Sequence, residues 1–184
     1  MTERKGESSY RRFLEGDMNA VQELVEIYSD SLVRFAYCYV KDSAIAEDIM
    51  EDAFASLLAK RKRFQSGENL RAYLYKITRN KCIDYIRFRK RHLTLGDYES
   101  VLVGADLYEG VAERARNRTL YRCMNDLPPQ YAEVLYLVYI EDRPIEQVCK
   151  LLKKTKKQVY NLLARAKTSL KALLIKEGIS YEDE

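Results

Sequence analysis

The chain has 184 residues, 47% of them hydrophobic and 33% charged, with a net charge of +4. That length holds one medium domain or two small ones. No run approaches the ~20 apolar residues of a membrane span, and the polar start, Met1 to Arg12, lacks the apolar core of a signal peptide; a cytoplasmic protein with no membrane insertion of its own is expected.

Almost every segment has helical periodicity, prolines are confined to Pro128, Pro129 and Pro144, and no long β-branched alternation occurs. Val21, Leu24, Val25, Tyr28, Leu32, Phe35, Ala36 and Tyr39 recur at threes and fours, the spacing of one helix face. Asp42-Ser43 breaks that helix and can cap the next, in which Ile45, Ile49, Ala53 and Leu57 run at strict fours. Residues 64–69 form a loop on the Ser66-Gly67 turn signal. A long helix follows from about Leu70 to Arg91. Its expected apolar face is Leu70, Tyr73, Leu74, Ile77 and Phe88, with Asn80 and Asp84 on that face as buried polar groups.

Residues 92–113 carry glycines and scattered acids with little periodicity, the character of a linker. A second unit begins near Arg114. Pro128 and Pro129 open a helix there, since proline is tolerated in a first turn, and Val134, Leu135, Leu137, Val138 and Ile140 give it a broad apolar face. Asp142-Arg143-Pro144 is another break. Ile145 to Leu152 makes a short helix, 153–155 a turn, and Lys156 to Lys176 a final helix striped by Val159, Leu162, Leu163, Ala166, Leu170 and Leu173. Residues 177–184 are an acidic tail. The expected fold class is all-α: two small helical domains, 1–91 and 114–176, on a flexible linker, the second a helix-turn-helix domain.

The small net charge hides a pattern. Residues 59–91 hold 12 Lys and Arg against 2 acids, and residues 143–176 hold 10 against 1, whereas residues 1–58 hold 6 against 12. Two separate basic blocks point to two polyanion contacts. In the first block Lys76, Arg79, Ile83, Arg87 and Lys90 stand three, four, four and three apart, so four cations share a stripe suited to a phosphate backbone. In the second, the residues that a helix-turn-helix presents to base edges are Thr155, Lys156, Lys157, Gln158, Tyr160, Asn161 and Arg165. Gln158 and Asn161 suit adenine, Arg165 guanine or a phosphate, and the lysines phosphates. Ahead of both blocks in sequence lies an acidic helix, residues 46–58, with Glu47, Asp48, Glu51 and Asp52 beside an apolar border. Such a helix suits a basic protein partner.

Enzyme chemistry finds no support. Cys38, Cys82, Cys123 and Cys149 form no C-x-x-C pair and His92 is the single histidine, so no metal site or cofactor is expected and the cysteines read as reduced core residues. No phosphate-cradling glycine loop or nucleophile–base pair is evident.

These features in this order resemble the extracytoplasmic-function (ECF) class of bacterial RNA polymerase sigma factors. The resemblance is carried by Leu32-Val33-Arg34-Phe35-Ala36, Ala46-Glu47-Asp48-Ile49 with Asp52 and Phe54, and residues 70–80 with Asp84 and Arg87. In the second domain it rests on Leu127-Pro128-Pro129-Gln130, Glu146, Val148, Val159 and Leu163-x-Arg165-Ala166. It implies a chain that docks on core RNA polymerase at the β′ clamp helices and β flap, binds promoter DNA, and is held by an anti-sigma factor. Asp48, Ile49, Glu51, Asp52 and Phe54 are then the polymerase contacts. The 64–69 loop captures an unstacked base of the −10 element, with Gln65, Ser66, Glu68 and Asn69 for its edges and Phe64 or Tyr75 for stacking. Lys76, Arg79, Asn80, Arg87 and Lys90 follow the −10 strand, and the last helix reads the −35 duplex. Where the family's turn usually has glycine, this chain has Lys153. The rival is a helix-turn-helix regulator that binds operators without polymerase; it leaves the first basic block and the acidic helix idle.

Overall fold

The computed structural model describes residues 2–92 and 114–179. The chain divides into two compact units, Met1–Leu102 and Val103–Glu184, and among the described residues every regular element is helical. The expected linker, 92–113, lies outside the described residues but for His92, as does the tail beyond Ile179.

The first unit has α1 (Thr2–Leu14), α2 (Asn19–Val40), α3 (Ser43–Lys60) and α4 (Gly67–His92). α2 packs against the other three, which is why its last two turns are buried nearly all round, from Leu32 through Val40. It stops at Lys41, whose left-handed backbone (φ 56°) directs its N–H to the Tyr37 carbonyl. Asp42 then caps α3 as the sequence suggests, its carboxylate accepting the Ile45 N–H at 3.1 Å. α3 ends on a second left-handed residue, Arg61 (φ 45°).

This unit has one helix not among those expected and one face that departs from expectation. The polar N-terminus is a helix, seating Tyr10 and Phe13 in the core through a face with Gly6 and Ser9. At Gly6 the backbone lies against the Tyr28 ring, so a β-carbon there would collide with the phenol. The face of α4 is also rotated. Gly67, Leu70, Leu74, Tyr75, Thr78 and Cys82 are buried, whereas Asn80 and Asp84 are exposed and Phe88 is 55% exposed, stacked on His92. Apolar residues lie on more than one side of this helix, and the small polar Thr78 and Cys82 complete the true seam.

The second unit has α5 (Arg114–Asn125), α6 (Pro129–Leu135), α7 (Ile145–Leu152) and α8 (Lys156–Lys176). α5, α6 and α7 all pack on α8. The bounds of α7 and α8 are those the sequence suggests, and Val159, Leu163, Ala166 and Leu174 are the buried row of α8; Leu162, Leu170 and Leu173 border it. The unforeseen feature is a π-helical turn at Tyr136–Ile140, continuous with α6. Glu133, Glu141 and Arg143 around it are buried. The Tyr136 hydroxyl reaches Glu141 at 3.5 Å and Arg143 donates to Gln147 at 3.3 Å.

Candidate nucleic-acid interface

Exposed groups on α4 form the first surface. Lys76, Asn80, Arg87 and Lys90 are exposed and Arg79 half-buried. At 1.5 Å per residue the row from Lys76 to Lys90 spans about 21 Å, several phosphate repeats. Asp84, the acid on this face, lies 3.8 Å from Arg87. Asn80 thus stands among the cations rather than in the core.

At the start of α4, Gln65, Glu68 and Asn69 are exposed. Ser66 is partly committed locally, because its hydroxyl accepts the Asn69 N–H at 3.3 Å as the helix begins three residues earlier than its apolar spacing suggests. Phe64 is half-buried between Tyr10 (ring centroids 5.4 Å) and Tyr73 (5.1 Å). Burial pushes the Tyr10 phenol up to about 12, so it stays neutral beside that aromatic cluster. Tyr75 differs from expectation. It is 0% exposed and edge-on to Phe35 at 4.9 Å, which removes it as a platform for a base.

On α3 the exposed side chains are Glu47, Asp48, Glu51 and Asp52, one above another at i and i+4. Ile49 (6% exposed) and Phe54 (4%) point into the core; as contacts for an outside protein they are corrected to packing residues. Asp52 accepts from Lys81 of α4 at 2.8 Å, so the acidic and basic helices meet at this edge.

In the second unit, α7, the turn 153–155 and α8 form the helix-turn-helix. Lys153 takes the left-handed conformation (φ 54°) that glycine adopts without cost, and Lys154 N–H also reaches the Cys149 carbonyl. All seven proposed contact residues are exposed. Two have a second job. Thr155 and Gln158 form a reciprocal capping box, each side chain accepting the other's backbone N–H. Lys156 donates to Glu146 of α7 at 2.9 Å; the bond holds the Glu146 carboxyl below and the Lys156 ammonium above their ordinary ranges. Lys157, Tyr160, Asn161 and Arg165 project from the same exposed surface of α8.

Sequence reasoning missed the support behind the first surface, chiefly Glu7 and Arg61. Glu7 bonds to Gly67 and Arg61 to Phe13 and Leu14, across separations that no local pattern encodes.

The sequence matches the family model of sigma-70 region 2 over residues 24–92 and that of sigma-70 region 4 over 117–170. It is 26% identical over 157 residues to the ECF RNA polymerase sigma factor SigM of Bacillus subtilis (strain 168), covering 83% of this chain and 94% of the relative. The ECF RNA polymerase sigma factor SigW of the same strain is 25% identical over 148 residues, 74% of this chain and 79% of the relative. The chain belongs to the ECF sigma factors of RNA polymerase. The fold agrees. The sigma factor RpoE of Bartonella quintana, solved with the anti-sigma factor NepR, superposes with a TM-score of 0.66 over 84% of this chain and 96% of its own at 22% identity. CnrH, solved with the cytosolic domain of CnrY, gives 0.65 over 94% and 98% at the same identity. The basic surface of α4 thus lies in region 2 of the sigma factor, and the helix-turn-helix in region 4.

Proposed function

We propose that this ECF sigma factor divides initiation between its units: residues 1–91 dock on core polymerase and open the −10 element, and residues 114–176 read the −35 duplex. The observation that supports this division most directly is two exposed basic helices in separate units, with an exposed acidic face on α3 ahead of both in sequence. Neither half alone would need that face. Glu47, Asp48, Glu51 and Asp52 meet the β′ clamp helices by charge; region 4 meets the β flap. Phe64, Gln65, Ser66 and Asn69 receive a non-template base, and Lys76, Arg79, Asn80, Arg87 and Lys90 follow the strand. Extruding that base costs a few kcal/mol, which stacking and edge contacts offset. The chain supplies binding and positioning rather than a catalytic step, acts in the cytoplasm, and is held inactive by an anti-sigma factor, as the solved RpoE captured with the anti-sigma factor NepR suggests.

Adding the purified chain to core RNA polymerase should produce run-off transcripts from a cognate promoter, with tight binding to core and weak binding to free duplex. Specific binding of free duplex, with core ignored, would instead favour the operator-binding regulator.

Within region 4, Lys156 and Lys157 are phosphate contacts. Replacing both with Ala should weaken −35 duplex binding across sequences and flatten the plot of log affinity against log salt by about 1 to 2. Titrations at several salt concentrations measure this. An unaltered slope would remove the start of α8 from the interface.

A further inference from the structure

The first helix supplies none of the proposed DNA contacts, yet it holds both ends of the loop that precedes α4. At the near end, Arg61 donates to the Phe13 and Leu14 carbonyls at 3.3 and 2.9 Å, satisfying the last turn of α1. Its guanidinium also lies 4.7 Å over the Phe13 ring. At the far end, Glu7 accepts the backbone N–H of Gly67 at 3.0 Å. That N–H opens α4 and has no partner within the helix, so the carboxylate both satisfies it and complements the positive helix end. Between the two anchors Phe64 leans on Tyr10, and Lys62 lies over the Phe64 and Tyr73 rings.

The clamp itself is fixed from behind. Arg11 holds the other Glu7 oxygen at 3.0 Å. Ser9 and Arg12 bind Glu23 of α2, and Arg12 also binds Asp17. The geometry points to α1 as the buttress that sets the shape of the base-capturing loop, with Glu7 and Arg61 as positioning residues for −10 recognition. This rests on the reading of the 64–69 loop as the capture site. A loop pinned at Arg61 and Gly67 presents Gln65 and Asn69 in one arrangement, and edge recognition needs that arrangement before the base arrives. A loose loop still meets a base, but it distinguishes bases less well.

The test uses holoenzyme assembled from core polymerase and full-length chain. Non-template oligonucleotides carry 2-aminopurine beside the −10 element, in cognate form and with single substitutions, with sequences taken from start sites mapped by run-off transcription. Glu7→Ala should cut the cognate-to-substituted affinity ratio roughly 5- to 10-fold, about the effect of one ordinary hydrogen bond. Affinity for core should remain at the wild-type value. Glu7→Gln, whose amide carbonyl can still accept the Gly67 N–H, should restore most of the ratio. Arg61→Gln, changing an exposed side chain, should reduce the ratio from the other end of the loop and carries the test if Glu7→Ala folds poorly. General loss of stability would lower the active fraction and leave the ratio intact. Wild-type ratios in Glu7→Ala and Arg61→Gln, together with loss in Gln65→Ala and Asn69→Ala, would overturn the buttress and spare the capture site. Wild-type ratios in all four would overturn both.

Discussion

Reversing Asp48 and Asp52 together to Lys is expected to weaken binding to core RNA polymerase by about 100-fold, roughly 2.7 kcal/mol, while the helical circular dichroism stays at the wild-type level. Both side chains are exposed on α3, and the apolar neighbours once expected to share the contact, Ile49 and Phe54, are turned into the core. Docking by this face is therefore electrostatic, and placing like charges opposite a basic partner costs several kcal/mol. One confounding loss can be separated. Asp52 bonds to Lys81 of α4, and reversal breaks that pair. An exposed pair contributes only about 0 to 1 kcal/mol, and Lys81→Ala removes it without touching the acidic face. The single Lys81→Ala chain should bind core as the wild type does; the double reversal should not. Titration of labelled core reads both. Tight binding by the double reversal would remove α3 from the docking surface.

What the sequence made legible follows the range of the interactions. Caps and turns act over three or four residues, so Asp42, the Pro128-Pro129 opening and the 153–155 turn were visible, and the limits of α7 and α8 with them. Exposed charge was visible too, because a lysine-rich face needs no partner to be recognised. Long-range packing was not. Phe88 looks like a core residue of α4, yet it lies in the last turns, beyond the stretch where the helix has neighbours to cover it. Thr78 and Cys82 look neutral and are the seam. Helix α1 has Gly6, Ser9, Tyr10 and Phe13 on one face, a recognisable spacing that the surrounding charges obscured. The π-turn at Tyr136–Ile140 gives no such signal: an extra residue inside an apolar run changes which side chains turn inward without altering composition. Thr155 and Gln158 illustrate the remaining ambiguity, since the residue types that read bases are also those that cap helices.

Tyr75 separates packing from recognition. Tyr75→Ala is expected to lower the stability of the first unit by about 3 to 5 kcal/mol, the range for emptying a buried aromatic site. For a unit of this size the melting temperature should fall by roughly 12 to 40 °C. The reason lies in its neighbours. Tyr75 is fully buried on the seam between α2 and α4, edge-on to Phe35, which in turn packs on Tyr39. Emptying the site leaves a cavity where the two helices meet, and stabilities of small domains are only about 5 to 15 kcal/mol. Phe64→Ala offers the contrast. Phe64 is half-buried on the loop, so its loss should cost less stability and more −10 capture. Thermal unfolding followed by circular dichroism, paired with 2-aminopurine binding by the surviving folded fraction, places each ring in its role. A Tyr75→Ala chain that melts as the wild type does but no longer captures the −10 base would return Tyr75 to the DNA surface and overturn the packing account given for it.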